Sequence, residues 1–162
     1  MVTPDTDSHR SAGSGTDQTP IRPPGTLRWI PLIMLGGCLG TAARAGLETR
    51  FPPTLAALPW TTLTINLIGS FVLGVLLEAL SAAGPDRGAR RAMRLTLGTG
   101  ILGGFTTYST FMVETAERLG SGHALLAIAY LVCGVILGLL AAALGISTAS
   151  RMHRARREGR GT

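Results

Sequence analysis

Long apolar stretches punctuate this chain, and short turns bearing proline, glycine or charge separate them. A helix crossing the hydrocarbon core of a bilayer needs about 20 predominantly apolar residues. The stretches from about Trp29 to Leu47, Trp60 to Ala83, Met93 to Glu117 and Ala124 to Thr148 meet that requirement. Between them lie Phe51-Pro52-Pro53, Gly84-Pro85-Asp86-Arg87 and Gly120-Ser121-Gly122. Turns this short predict antiparallel neighbours. Trp29 and Trp60 stand at span starts, where indole rings favour the membrane interface. The pattern predicts an all-α integral membrane protein with four transmembrane helices.

The flanks read differently. Residues 1–27 are rich in Thr, Ser, Asp, Pro and Gly, and such a segment cannot bury enough surface to offset its chain entropy. A disordered N-terminal tail is expected there, then a four-span domain over 28–149 and a basic tail over 150–162. A signal peptide is the competing reading, because Ala43-Arg44-Ala45 faintly resembles a cleavage site. The long acidic, proline-bearing lead and the arginine inside that site weigh against it.

Composition agrees with the membrane reading. Of the 162 residues, 46 % are hydrophobic and only 15 % charged, against about 25 % charged in ordinary soluble domains. All 15 basic residues are arginine, and the formal net charge is +6. Four spans put the N-terminus, the second loop and the C-terminus on one side. Twelve arginines fall there: Arg10, Arg22, Arg28, Arg87, Arg90, Arg91, Arg94, Arg151, Arg154, Arg156, Arg157 and Arg160. The other side holds Arg50 and Arg118. This bias predicts a multi-pass plasma-membrane protein with both termini cytoplasmic. The C-terminal arginines read as a topology anchor before they read as a site for anionic lipid, and no nucleic-acid partner is expected. Cys38 and Cys133 lie inside apolar runs, which excludes a disulfide-stapled secreted module, and no Cys or His stands at zinc-ligand spacing.

Polar residues inside the spans are candidates for function. In the first span, Gly36-Gly37-Cys38-Leu39-Gly40 forms a small-xxx-small face for close helix approach, and Arg44 follows one turn later. Two readings of Arg44 stand level: a polar interior partner, or snorkelling from near the span's end. In the second span, Thr62, Asn66 and Ser70 share one helical face. Asn66 reads either as interhelical glue or as a donor inside a pathway. Glu78, near the far end, is expected to reach water.

The third span carries the most. Gly98, Gly100 and Gly103 spell G-x-G-x-x-G, but no strand precedes them, so a dinucleotide site does not follow. Gly103-Gly104 followed by Phe105-Thr106-Thr107 joins backbone freedom to β-branched residues, and predicts a helix broken near its middle. Non-helical backbone at that depth is tolerated only inside protein or along a cavity, where freed carbonyls suit a cation. The other reading is a continuous helix packed on glycine. Beyond the break, Thr107, Thr110, Glu114 and Glu117 share one face, while Phe105, Tyr108 and Phe111 recur at three-residue steps. Aromatic ring edges carry positive partial charge, so hydroxyls beside ring edges suit a small anion. In the fourth span, Gly134 and Gly138 form a packing pair, and Tyr130 reads either as pathway lining or as a bonded core tyrosine.

Taken in order, Gly36-Gly-x-x-Gly40-x-x-x-Arg44, Thr62-Leu-x-x-Asn66-x-x-Gly69-Ser-Phe-x-x-Gly74 and Gly103-Gly-x-Thr106-Thr-x-Ser109-Thr-Phe111 closely resemble the Fluc/CrcB fluoride channels, from roughly Leu27 to Thr148. The resemblance implies a dimer of antiparallel subunits with two fluoride pores and a central structural sodium ion. It implies passive export of cytoplasmic fluoride, which lowers fluoride toxicity. By motif position, Gly103 and Thr106 would give backbone carbonyls to sodium, and Asn66 would donate to fluoride. Tyr108 and Phe111 would fill the paired aromatic positions, with Ser109, Thr110, Glu114 and Tyr130 on the polar track and Arg44 at the aqueous entrance. Tyr108 stands where the family usually has Phe, and Ala45 where an aromatic is common. The arginine bias predicts one fixed orientation and hence an oppositely oriented paralogue as partner, with a homodimer as the alternative.

Other functions fit less well. A proton-coupled exporter needs a carboxylate deep in a span, whereas Glu48, Glu78, Glu114 and Glu117 all read as lying toward span ends. A non-transporting partner subunit would not need the intact third motif. An enzyme is not expected, since no nucleophile–base pair, metal cluster or phosphate loop is visible.

Overall fold

The computed structural model describes residues 26–55 and 57–159. The expected N-terminal tail therefore lies, as far as Gly25, outside the described residues, as do Arg10, Arg22 and Arg160. Among the described residues every regular element is helical.

A single 3-10 turn, Thr26–Trp29, leads into α1, Ile30–Arg50. Pro31 sits in the first turn of α1, where its missing N–H costs nothing. Pro52 and Pro53 then prevent the helix from continuing. Helix α2, Trp60–Ala82, follows Pro59, and a turn with Gly84 at φ 122° and Gly88 at φ 53° reverses the chain. The next segment is composite. Helix α3, Ala89–Met93, runs into a π-helical stretch, Arg94–Leu102, and then into α4, Gly103–Phe105. Thr106 is extended, at φ −76° and ψ 154°, and α5 begins only at Ser109 and ends at Gly120. Gly122, at φ 85°, turns the chain into α6, Ala124–Glu158.

Helices α1, α2 and α6 are each long and apolar enough to cross a membrane. Their outward faces are greasy: Met34, Leu39, Leu125, Leu139 and Leu144 are all exposed. The expected second span agrees with α2 to within a residue, while α1 runs on to Arg50. The basic tail expected from residue 150 is instead helical as far as Glu158. Alanine, methionine, glutamate and arginine are good helix formers, so the end of the apolar run is no stop signal.

Packing does not follow chain order. Helix α1 lies against the π-helical stretch and α4 rather than along α2, and α2 pairs with α6. Both contacts are backbone-close. A Cβ at Gly36 would come within 2.6 Å of the Thr96 carbonyl oxygen, and one at Gly40 would overlap the carbonyl of Ile101. Between α2 and α6, Gly74 meets the carbonyl of Ala142 and Gly145 that of Phe71 in the same way. The small-xxx-small face read at Gly36 and Gly40 is thus the seam between α1 and the segment that precedes Thr106.

Candidate functional site

The non-helical residues Thr106–Tyr108 are held from the side by Asn66. Its Nδ2 donates to the Thr107 carbonyl at 3.0 Å, and its Oδ1 accepts from the Thr107 N–H at 2.9 Å. A side-chain amide thereby replaces backbone partners on both the N–H and the C=O of one residue. The second Nδ2 hydrogen is not spent in this pair. Thr107 also caps α5: its Oγ1 accepts from the Thr110 N–H at 3.1 Å, and lies 3.1 Å from Thr110 Oγ1 and 3.3 Å from Ser109 Oγ.

These bonds divert amides that a continuous helix would use. The Thr107 N–H, which would return to the Gly103 carbonyl, goes to Asn66, and the Thr110 N–H, which would return to the Thr106 carbonyl, goes to Thr107 Oγ1. The two carbonyls that the family resemblance implies as cation ligands are those released from ordinary helical partners. Oxygen donors of this kind suit a hard cation such as sodium. The helix departs from regularity after Phe105, not at the glycine pair. Gly104 is used instead for close approach, since a Cβ there would lie 2.5 Å from the Gly37 carbonyl oxygen.

Arg44 has polar partners on α1, α4 and α5. Its Nε donates to the Gly104 carbonyl at 3.4 Å, and its Nη1 reaches Glu48 at 3.2 Å and Thr110 Oγ1 at 3.5 Å. Thr41 Oγ1 donates to the same Gly104 carbonyl at 3.4 Å. Thr110 therefore joins Arg44 on α1 to Thr107 beside Asn66.

A second polar cluster lies one and two turns further along α5. Glu114, only 4 % exposed, accepts at Oε1 from Thr62 Oγ1 and at Oε2 from the Tyr130 hydroxyl, each at 2.8 Å. Glu114, read from the sequence only as lying toward a span end, is thus buried against other helices. The chain folds α2 and α6 over it, and helical spacing alone does not reveal those neighbours. Phe111 packs on Tyr130 with ring centroids 4.6 Å apart and planes tilted by 54°, and its ring fills the space left by Gly134. Tyr130 is buried with its hydroxyl bonded, while Tyr108 is 75 % exposed. The ring neighbour of Phe111 within this chain is thus Tyr130. Glu78 also finds a partner rather than only water, accepting from Ser150 Oγ at 2.7 Å. Glu117 is exposed.

An open cavity of about 440 Å³ joins these parts. Asn66, Gly103, Thr106, Thr107, Tyr108 and Phe111 line it, along with the glycine-bearing face of α6. Arg44, Glu114 and Tyr130 are not among its lining residues.

Sequence reasoning passed over Arg118, taken only as a charge on the sparse side. It is 1 % exposed and donates to the carbonyls of Thr54, Ala57 and Glu114. Its place four residues after Glu114 on the same face was the available signal.

Several helices apolar enough to span lipid, an interrupted helix held by an intramembrane amide, and buried hydroxyls around it define a multi-pass membrane protein built around a polar interior. Residues 31–146 match the model of the CrcB-like protein, Camphor Resistance (CrcB) family, and the chain belongs to that family. It is 54 % identical over 113 residues to the fluoride-specific ion channel FluC 1 of Cutibacterium acnes, covering 70 % of this chain and 79 % of that one. It is 49 % identical over 129 residues to FluC 2 of Leifsonia xyli subsp. xyli, covering 76 % and 88 %. FluC 1 of Mycobacterium tuberculosis is 40 % identical over 126 residues, covering 78 % and 93 %.

Proposed function

We propose that this chain is a fluoride-selective channel that lets cytoplasmic fluoride leave passively and so lowers its toxicity. The observation that carries the reading is the Asn66–Thr107 clamp across the interrupted helix. It holds an amide donor and released backbone at one point between apolar helices. Relatives 40 to 54 % identical that are named fluoride-specific channels support the choice of ion. A small hard anion sheds water only where strong donors replace it. Asn66, Ser109 and Thr110 offer N–H and O–H groups, and the edges of Tyr108 and Phe111 add partial positive charge, while Tyr130 backs Phe111 with its hydroxyl given to Glu114. Arg44, ion-paired with Glu48, stands beside Thr110, where its guanidinium N–H groups add donors near the hydroxyls.

In this reading residues 89–120 form a fourth span, interrupted at Thr106–Tyr108. The working unit is a dimer of antiparallel subunits, and a second subunit completes the open wall of the 440 Å³ cavity. Gly103 and Thr106 would hold a structural sodium ion through their released carbonyls, and its charge would offset converging backbone dipoles. The arginine bias favours one orientation with both termini cytoplasmic, and hence an oppositely oriented paralogue as partner over a homodimer.

Fluoride efflux from liposomes holding the purified chain, read by an ion-selective electrode with a matched chloride control, tests the function. Fast fluoride loss without chloride loss is expected. Vesicles that stay silent both alone and with the co-expressed paralogue would overturn it. Accessibility reporters at both termini test the orientation, and equal populations facing each way would sink it.

A further inference from the structure

A carboxylate close to an anion pathway repels the ion that should pass, and Glu114 lies one helical turn from Phe111, which lines the cavity. Glu114 is buried, and both of its oxygens are occupied by hydroxyl donors. One helical turn on, the Arg118 guanidinium is buried as well, and its partners are neutral. Nη1 donates to the Glu114 backbone carbonyl at 2.8 Å, Nη2 to Thr54 at 2.8 Å and Ala57 at 3.1 Å, and Nε to Ala57 at 3.2 Å. Arg44 and Arg94 form ion pairs with carboxylates. Among the described residues no carboxylate contacts Arg118, so its charge is not cancelled at contact. The guanidinium also lies 5.9 Å from the centre of the Tyr130 ring, whose hydroxyl bonds Glu114. The two buried charges on α5 thus share Tyr130 between them.

We infer that Arg118 is the counter-charge that makes Glu114 compatible with anion passage. It acts through the field it sets at the carboxylate and through the position it gives Tyr130. A buried charge is costly in a membrane protein, and its retention without a contacting counter-ion points to a use for the field. Its bonds to Thr54 and Ala57 also pin the α1–α2 loop over this end of the cluster, and a purely structural arginine would do only that. The inference rests on the channel reading, so its test separates charge from clamp and both from that reading.

Fluoride efflux from liposomes is compared for the wild-type chain, Arg118→Gln, Arg118→Lys and the double variant Arg118→Gln with Glu114→Gln. Losing the charge in Arg118→Gln should slow efflux about ten-fold or more, the scale of one unit charge at short range in a protein-like dielectric. Arg118→Lys keeps the charge but loses the loop carbonyls, so it should melt as low as Arg118→Gln while conducting within about three-fold of wild type. Removing both charges should recover most of the lost rate, because the repulsion leaves with its cause. Wild-type efflux from Arg118→Gln, equal slowing in the lysine and glutamine variants, or no recovery in the double variant each overturns the inference while leaving the channel intact. Wild-type vesicles silent with and without the paralogue overturn the channel reading and the inference together.

Discussion

On either side of Thr106 the same segment is held to its neighbours by opposite means. Upstream, the π-helical stretch and α4 meet α1 backbone to backbone, with Gly36, Gly40, Gly100 and Gly104 leaving no room for side chains. Downstream, α5 meets α2 and α6 through side chains: the Phe111 ring against Tyr130 and Gly134, and the Glu114 carboxylate between two hydroxyls. Lipid tails are as apolar as leucine, so bringing helices together gains no hydrophobic energy, and contact and hydrogen bonding carry the association. The upstream half relies mainly on contact, with Thr41 and Arg44 bonding the Gly104 carbonyl at its end, and the downstream half mainly on directed bonds. The residues between them belong to neither scheme, and their backbone is available for Asn66.

The comparison can be broken most sharply with one substitution made twice. Gly40→Ala would press a methyl into the Ile101 carbonyl, which belongs to a packed helix and cannot yield. It should cost about 3 kcal/mol or more. Gly134→Ala places its methyl 2.7 Å from the Phe111 ring, a side chain that can tilt aside, and should cost about 1 kcal/mol. Melting both variants in detergent decides the point, and equal losses would erase the distinction between the halves. The joint comes next. Asn66→Ala strands the Thr107 N–H and carbonyl at once, which should cost about 2 kcal/mol. In liposomes it should also abolish most fluoride efflux, whereas efflux at the wild-type rate would remove Asn66 from the pathway. The smallest effects separate two tyrosines. Tyr130→Phe takes a donor from a buried carboxylate and should cost about 1 kcal/mol. Tyr108→Phe, at a 75 % exposed position, should change melting by less than about 0.5 kcal/mol.

Much of this arrangement was legible in the residues themselves. An asparagine among leucines and isoleucines announces a partner, and Asn66 has one in Thr107. The glycine spacing of Gly36 and Gly40 marked a close seam, though not what lay across it. The irregular segment was read within Gly103–Thr107, and the non-helical residues Thr106–Tyr108 begin at the end of that run rather than at its glycines. Glycine freedom made Gly103-Gly104 look weak, while the helix holds there because α1 covers it, and it gives way where Thr107 caps a new helix. The partners of Glu114 and Arg118 were not legible because they sit far off in the chain. Thr62 precedes Glu114 by 52 residues, and Thr54 precedes Arg118 by 64, separations that no helical period encodes.

One element outlasts the membrane it was read from. At 35 residues, α6 is about 52 Å long, against a hydrocarbon core of about 30 Å. Arg151, Arg154, Arg156 and Arg157 therefore ride on a stiff rod with a defined phase, not on a loose string. Removing one residue between Ser147 and Ser150 would turn all four by about 100° together. In a limp tail the same deletion would shift nothing but length. The arginines are thus aimed, and a reporter fused beyond Glu158 would inherit their bearing.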